Sequence, residues 1–357
     1  FMLKKIIPTI CLLAFILSEP FDGLALINQD GDVHFNDIII TNLIDIDGNI
    51  INSWEHDTEL AGMTYISPDS ILYAPCKISY NQSTPNYNGR FKKMNWDGEV
   101  IWDFILPSDI CRPHHDIEIL PNGNFLTICS EKKSYEELLE IGMIIDDDPT
   151  DDSSYRNNMD MIVEIEPIGF NEANIVWKWH FWDHLIQDVN PDIENYGVIS
   201  ENPQLIDINS HSFIPDQGAG ADAADWMHCN SISYNASLDQ IVISSRHRSE
   251  FYVIDHSTTI QEAASHQGGL YGKGGDFLYR WGNPQNYGRG DNDSKILGGQ
   301  HSVVWIPEGF PGEGNFILFN NFHDVDKSAV LEIIPPINSE GEYFLDSSNA
   351  YGPLSYH

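Results

Sequence analysis

The 357-residue chain has few cysteines, little positive charge and, past its first segment, no long apolar run. Five cysteines are too few for a disulfide scaffold, so the fold must rest on a buried core. Lysine and arginine total 18 against 54 acidic residues, a net charge of −36 with histidine neutral. A field of that sign disfavours nucleic-acid backbones and anionic membrane surfaces as partners. Beyond the N-terminal segment, nothing approaches the ~20 apolar residues of a spanning helix. The 27 glycines and 19 prolines exclude long helices throughout and suit a strand-and-turn protein. What is present is a hydrophobic share of 41% with 11% aromatics, enough for a folded core. The length fits one large repeat-built domain or two ordinary ones.

Lys4 and Lys5 precede an apolar run from Ile6 to Leu17, and Gly23 and Ala25 follow as small residues. The expectation is a secretory signal over residues 1–25, since the run is short and contains Pro8. A retained anchor is the alternative. The expected location is exported, periplasmic or secreted, with no membrane attachment after cleavage. Cys76, Cys111, Cys129 and Cys229 would then meet an oxidising compartment, with one or two disulfides whose pairing the spacing does not reveal. Phe1 ahead of Met2 fits a fragmentary reading frame. Glycosylation sequons at Asn81, Asn235 and Asn292 matter only in a eukaryotic secretory host.

Residues 26–357 read as one all-β domain. Short strands are expected at Ile71–Ala74, Phe125–Cys129, Met161–Ile165, Gln240–Ser244 and Phe316–Phe319, between Gly, Pro, Asn and Asp turns. A turn followed by an apolar strand ending in Trp recurs at Trp54, Trp102, Trp179 and Trp281. A hairpin with a shared register follows each, starting at Gly62, His115, His228 and His301. A repeat of about 50 residues with four antiparallel strands marks a β-propeller blade. A β-sandwich is the alternative. The acidic, helix-like stretch Ser134–Ser153 and the polar excursion Asp183–Asp225 read as loops or lids. Within the first, Asp146–Asp152 lacks the spacing of a calcium loop. The chain looks one to two blades short of closure, through truncation or as a smaller propeller.

Innermost strands line the channel of a propeller, so His115, His228 and His301, at one register, should converge there. The third hairpin is centred near Ser237, which sets Arg246 opposite His228; the corresponding positions in the neighbouring copies are Ser130 and Asn321. No carboxylate shares the register, so a local cationic pocket is expected. Arginine offers a planar fork to tetrahedral oxyanions, and histidine serves as nucleophile, acid or base. Transfer of a small oxyanion group is the indicated chemistry. A three-histidine metal site is the rival, weakened by the neighbouring guanidinium, and structural histidines are the bland alternative. Asp116 is expected to orient His115 or His114, or to cap a turn. His114, His247 and Arg248 alternate out of register and should face the sheet or solvent. His323 sits where a loop would bring it to the mouth. Cys229 points away from the channel as core or disulfide. The glycine-rich Gly269–Asp276 lacks a phosphate-loop context and reads as a flexible loop over the mouth.

The segments RPHHDIEILPNGNFL, DWMHCNSISYNASLDQIVISSRH and GGQHSVVWIPEG resemble those of the arylsulfotransferase family, over roughly Asp45 to Tyr351. The resemblance implies a six-bladed propeller, here incomplete at its C-terminus. It implies PAPS-independent transfer of a sulfuryl group from an aryl sulfate to a phenolic acceptor. His301 in GGQHS matches the transiently sulfated histidine, and Arg246 in SSRH the arginine that binds the sulfuryl oxygens. His228 and His115 match two supporting histidines, with His114 competing for the second role. No cofactor or metal is required, since the donor ester carries the activated group. A non-catalytic binding propeller and a histidine-metal hydrolase stand as the other readings.

Overall fold

In the computed structural model the described residues are 23–29, 38–78, 89–145, 157–210, 225–324, 327–345, 350–353 and 356–357. The expected signal segment, Asn81 and the Asp146–Asp152 run lie almost wholly or wholly outside them.

Alternation of apolar and polar positions along short segments produces antiparallel sheets, and five of them form a five-bladed propeller arrangement. The first comprises Ala25–Gln29, Ile39–Ile44 and Ile50–His56. The second is Tyr65–Ile66, Leu72–Cys76, Arg90–Met94 and Val100–Ile105. The third is Arg112–Ile119, Phe125–Lys132, Asn158–Ile168 and Glu172–His180. Cys229–Asn235, Gln240–Ser245, Glu250–Asp255 and Tyr279–Trp281 make the fourth. His301–Trp305, Phe316–Asp324 and Lys327–Ile333 make the last described sheet. Four of the five expected strands fall inside these elements, and the fifth, Ile71–Ala74, overlaps Leu72–Cys76 from its second residue.

The core lies between sheets, as stacking blades requires. Phe91 and Trp102 of the second sheet pack with Phe125 and Met161 of the third. Ile162 and Trp179 of the third pack with Ile243 and Tyr252 of the fourth. Phe251 and Tyr279 of the fourth pack with Phe316 and Leu331 of the last.

The recurring tryptophans have one job. Each lies on an outer strand and donates its indole N–H to a carbonyl of a later segment. Trp54 reaches Asn95 (2.8 Å), Trp102 reaches Glu172 (3.0 Å), Trp179 reaches Gly275 (2.8 Å) and Trp281 reaches Pro353 (2.8 Å). A buried indole must satisfy its N–H, and a backbone carbonyl from further along the chain supplies the acceptor each time.

The two insertions are partly structured. Ser134 and Glu137 form a capping box that starts a helix over Tyr135–Glu140. In the polar excursion, Leu185–Ile186 pairs in parallel with Ile206–Asp207. Cys111 and Cys129 form a disulfide, and Cys76 and Cys229 are free and buried.

Candidate active site

Three of the inner strands are irregular where they begin. His115, His228 and Ser302 adopt left-handed backbone, with φ of 59°, 51° and 55°. In each strand the pairing register then shifts: between Pro113 and Ile117, Cys229 and Ser231, and His301 and Val304. Such bulges insert unpaired residues and re-aim side chains, at a cost in local strain characteristic of functional sites. At the equivalent place in the second sheet stands Gly62, where a Cβ would lie 2.7 Å from the His115 carbonyl oxygen. Glycine is required there by that close approach.

The re-aimed histidines gather. The rings of His115 and His228 lie 4.8 Å apart, centroid to centroid. His301 bears electrostatically on His115, and His228 and Arg246 bear on His301. Arg246 is half-buried, and its backbone N–H donates to His228 O at 3.1 Å. The expected cross-strand position holds at the mouth because Cys229 pairs Ser245 there. Asn321 also arrives: its side-chain oxygen lies 2.6 Å from His301 Nδ1. Ser130 does not, since it pairs with Arg112 rather than opposing His115.

Two aspartates correct the expectation of a carboxylate-free pocket. Asp225 Oδ1 accepts from His228 N (2.8 Å) and Oδ2 lies 2.6 Å from His228 Nδ1. A bridge pairing Asp225 with Asn158 sets this residue against the third sheet. Burial pushes the Asp225 carboxyl upward. The hydrogen bond from His228 and the nearby His228, His247 and His114 outweigh it and hold the group down at about 2. Asp160 accepts from His114 Nε2 (3.1 Å) and from Cys229 N (2.7 Å). Asp225 had a signal in the sequence, three residues ahead of His228; Asp160, on the third strand of its blade, had none.

His114 and His247 were expected to face sheet or solvent, but both are buried in this cluster. His114 Nδ1 lies 2.7 Å from His115 Nδ1, and the His247 ring is 4.9 Å from that of His228. Left-handed backbone at His115 breaks the simple alternation for His114, and His247 lies past Ser245 in the turn before Glu250, where strand alternation no longer applies. Arg248 is buried against the sheet as expected, over the Trp226 ring at 4.2 Å.

Asp116 orients no histidine. It accepts from the Tyr65 hydroxyl and from Ile117 N and Ile232 N (3.0 and 3.1 Å), linking three blades. His323 stays outside the cluster, exposed, with its ring 6.1 Å from that of Tyr356. The glycine-rich loop does not cover the mouth. Tyr271 OH donates to Leu238 O at 2.6 Å, in the hairpin turn at the opposite end of the strand from His228.

The charge states follow from these partners. Burial drives His115 down to about 2, with His114 and His228 adding to the effect. Burial opposes the His114 cation, but the Asp160 charge and hydrogen bond raise its pKa overall. Burial also lowers His301, with His228 and Arg246 adding to it and the Asn321 and Gly299 bonds opposing. His301 Nδ1 lies 3.0 Å from Gly299 O, which can only accept, so Nδ1 carries the proton. The lone pair of a neutral His301 is therefore on Nε2. One ring offers an imine nitrogen, in the electrostatic neighbourhood of two further imidazoles and a guanidinium.

No curated protein sequence matches the chain significantly. Among solved structures, it is similar to Kuenenia stuttgartiensis hydrazine synthase, at 12% identity and TM-score 0.42, covering 82% of this chain and 67% of that one. A putative 6-phosphogluconolactonase from Bacteroides fragilis gives 11% identity and TM-score 0.36, covering 94% and 67%. The Dos1 propeller gives 9% and 0.34, covering 83% and 63%. The profile of the arylsulfotransferase (ASST) family matches residues 22–344 and so takes in every histidine of the cluster, Arg246 and both aspartates: the chain belongs to the arylsulfotransferase family.

Proposed function

We propose that the protein transfers a sulfuryl group from an aryl sulfate to a phenolic acceptor, through a sulfohistidine at His301. The observation that carries this is the pair of acceptors, Gly299 O and Asn321 Oδ1, at His301 Nδ1. They hold Nε2 as the nucleophile and stabilise the ring as it gains positive charge.

Nε2 attacks sulfur, an N–S bond forms, and the S–O(aryl) bond breaks with its electron pair leaving on phenolate. Arg246, with His115, donates to the equatorial sulfuryl oxygens. Removing one donor of this kind commonly costs ~10²–10³ in kcat. His228, held at Nδ1 by ionised Asp225, exchanges the proton: protonated, it gives one to the departing phenolate. It then takes one from the acceptor phenol, which attacks sulfur and regenerates His301. The ester supplies the activated group, so no cofactor enters.

The test is mass spectrometry after incubation with 4-nitrophenyl sulfate alone. One added SO₃ on the peptide carrying His301, ping-pong kinetics, and loss of turnover in folded His301→Ala are expected. Normal turnover by His301→Ala sinks the assignment. A metal hydrolase draws support from the proximity of Asp225, His228 and His247, whose ligand atoms lie within 4.8 Å of one another. Chelator-sensitive turnover without sulfation would favour it. We also propose six-bladed closure and export behind a cleaved leader; scattering and N-terminal sequencing of the exported natural protein test these.

A further inference from the structure

A second cluster lies outside the site described above. His184 ends a turn after the outer strand of the third sheet, and His266 and Asp276 flank the glycine-rich loop before the outer strand of the fourth. We propose that His184, His266 and Asp276 bind a zinc-class divalent cation. Their ligand atoms all lie within 4.8 Å of one another, and a single oxygen, Asp276 Oδ1, faces both rings: His184 Nδ1 at 2.9 Å and His266 Nδ1 at 2.7 Å.

The hydrogen-bond count at His184 points to a cation. Its Nε2 is 2.9 Å from Ala263 O, which can only accept, so Nε2 holds a proton. A neutral His184 then turns a bare Nδ1 lone pair on a carboxylate oxygen. Two lone pairs at that distance need a positive centre between them. Donation of the far N–H to a backbone carbonyl is also the usual support of a metal-bound histidine.

The surroundings hold the ring in place. Trp179 stacks on His184 at 5.4 Å with an interplanar angle of 7°, itself held by its bond to Gly275 O. A Cβ on Gly275 would stand 2.0 Å from Ala263 O and 2.5 Å from His184 Nε2, so only glycine admits this packing. Two imidazoles and a carboxylate are a donor set for zinc, with water completing a tetrahedron. Tetrahedral edges near ~3.3 Å follow from metal–ligand distances of ~2.0–2.1 Å. The rings must therefore open by roughly half an ångström, which His266, with its side chain 58% exposed, is free to do. The ion would tie the glycine-rich loop to the neighbouring blade and act on stability.

The test is zinc binding by the metal-stripped full chain, in competition with a chromophoric chelator. One zinc per chain is expected, lost in His266→Ala and kept in His247→Ala. Zinc in hundredfold excess over its Kd should raise the thermal midpoint by about 4 °C in the parent and not in His266→Ala. Aryl-sulfate turnover by His266→Ala should equal the parent's. No zinc binding, undiminished binding by His266→Ala, or loss in His247→Ala overturns the proposal. The first outcome would make a proton the cation at His184. None of these outcomes bears on sulfation of His301, which is read separately.

Discussion

The inner and outer strands of this propeller solve opposite problems. At the outer edge, Trp54, Trp102, Trp179 and Trp281 repeat one interaction with little variation, each indole fastening a blade to a later segment. At the inner ends, Gly62, His115, His228 and His301 share a register but not an environment. Gly62 makes room for a carbonyl, His115 leans on His114, His228 on Asp225, and His301 on Asn321 and Gly299. Repetition serves stability, because every blade must be attached. Divergence at equivalent positions serves chemistry, because one reaction needs a nucleophile, a proton carrier and oxyanion donors at once.

The largest break in that comparison should come from Asp225→Asn. Losing the carboxylate frees the His228 tautomer, and kcat should fall by ~10²–10⁴ with the thermal midpoint nearly unchanged. Equal loss of fold and activity would make Asp225 merely structural.

A smaller effect, on stability alone, is expected at the outer edge. Trp102→Phe deletes the donor to Glu172 O and part of a buried ring, which should cost about 1–3 kcal/mol, or roughly 1–4 °C in midpoint. The kcat of the folded fraction should not change; a loss of kcat would show that the edge and the inner ends are coupled.

The smallest effect sharpens the boundary between the two regions. Burial pushes Glu118 up to about 8; the Asp116 charge adds to this and the Tyr234 N–H opposes it. The unfolded chain releases this proton near 4.5 and the folded chain holds it until about 8, so stability should fall as pH rises across that window. Glu118→Gln, which keeps an acceptor for Tyr234, should flatten the curve and raise the midpoint at pH 8, with little change at pH 4. A parallel pH curve in the variant would place the titration elsewhere.

Much of the fold was readable along the chain because strand alternation and turn residues are local. The blade repeat followed from the recurrence of Trp and the hairpins, and the pairing of Arg246 with His228 from simple counting about Ser237. The counting failed at His115 and Ser130, where two extra residues enter the bulge before Ile117. His114 and His247 were assigned to the wrong side for a related reason: alternation presumes extended backbone, but His115 beside His114 is left-handed, and His247 lies past Ser245 in the turn before Glu250. Asp160 lies 46 residues from His114 and could be matched to it only once the third sheet had formed.

What the sequence determined by itself was the all-β repeat, the convergence of distant histidines and the family, because periodic patterns and contiguous motifs survive in one dimension. The tertiary structure decided which ring carries its free electron pair and which is drawn toward the cationic form by a carboxylate. Those states depend on single acceptors brought in from other blades, and no periodicity along the chain encodes a contact between them.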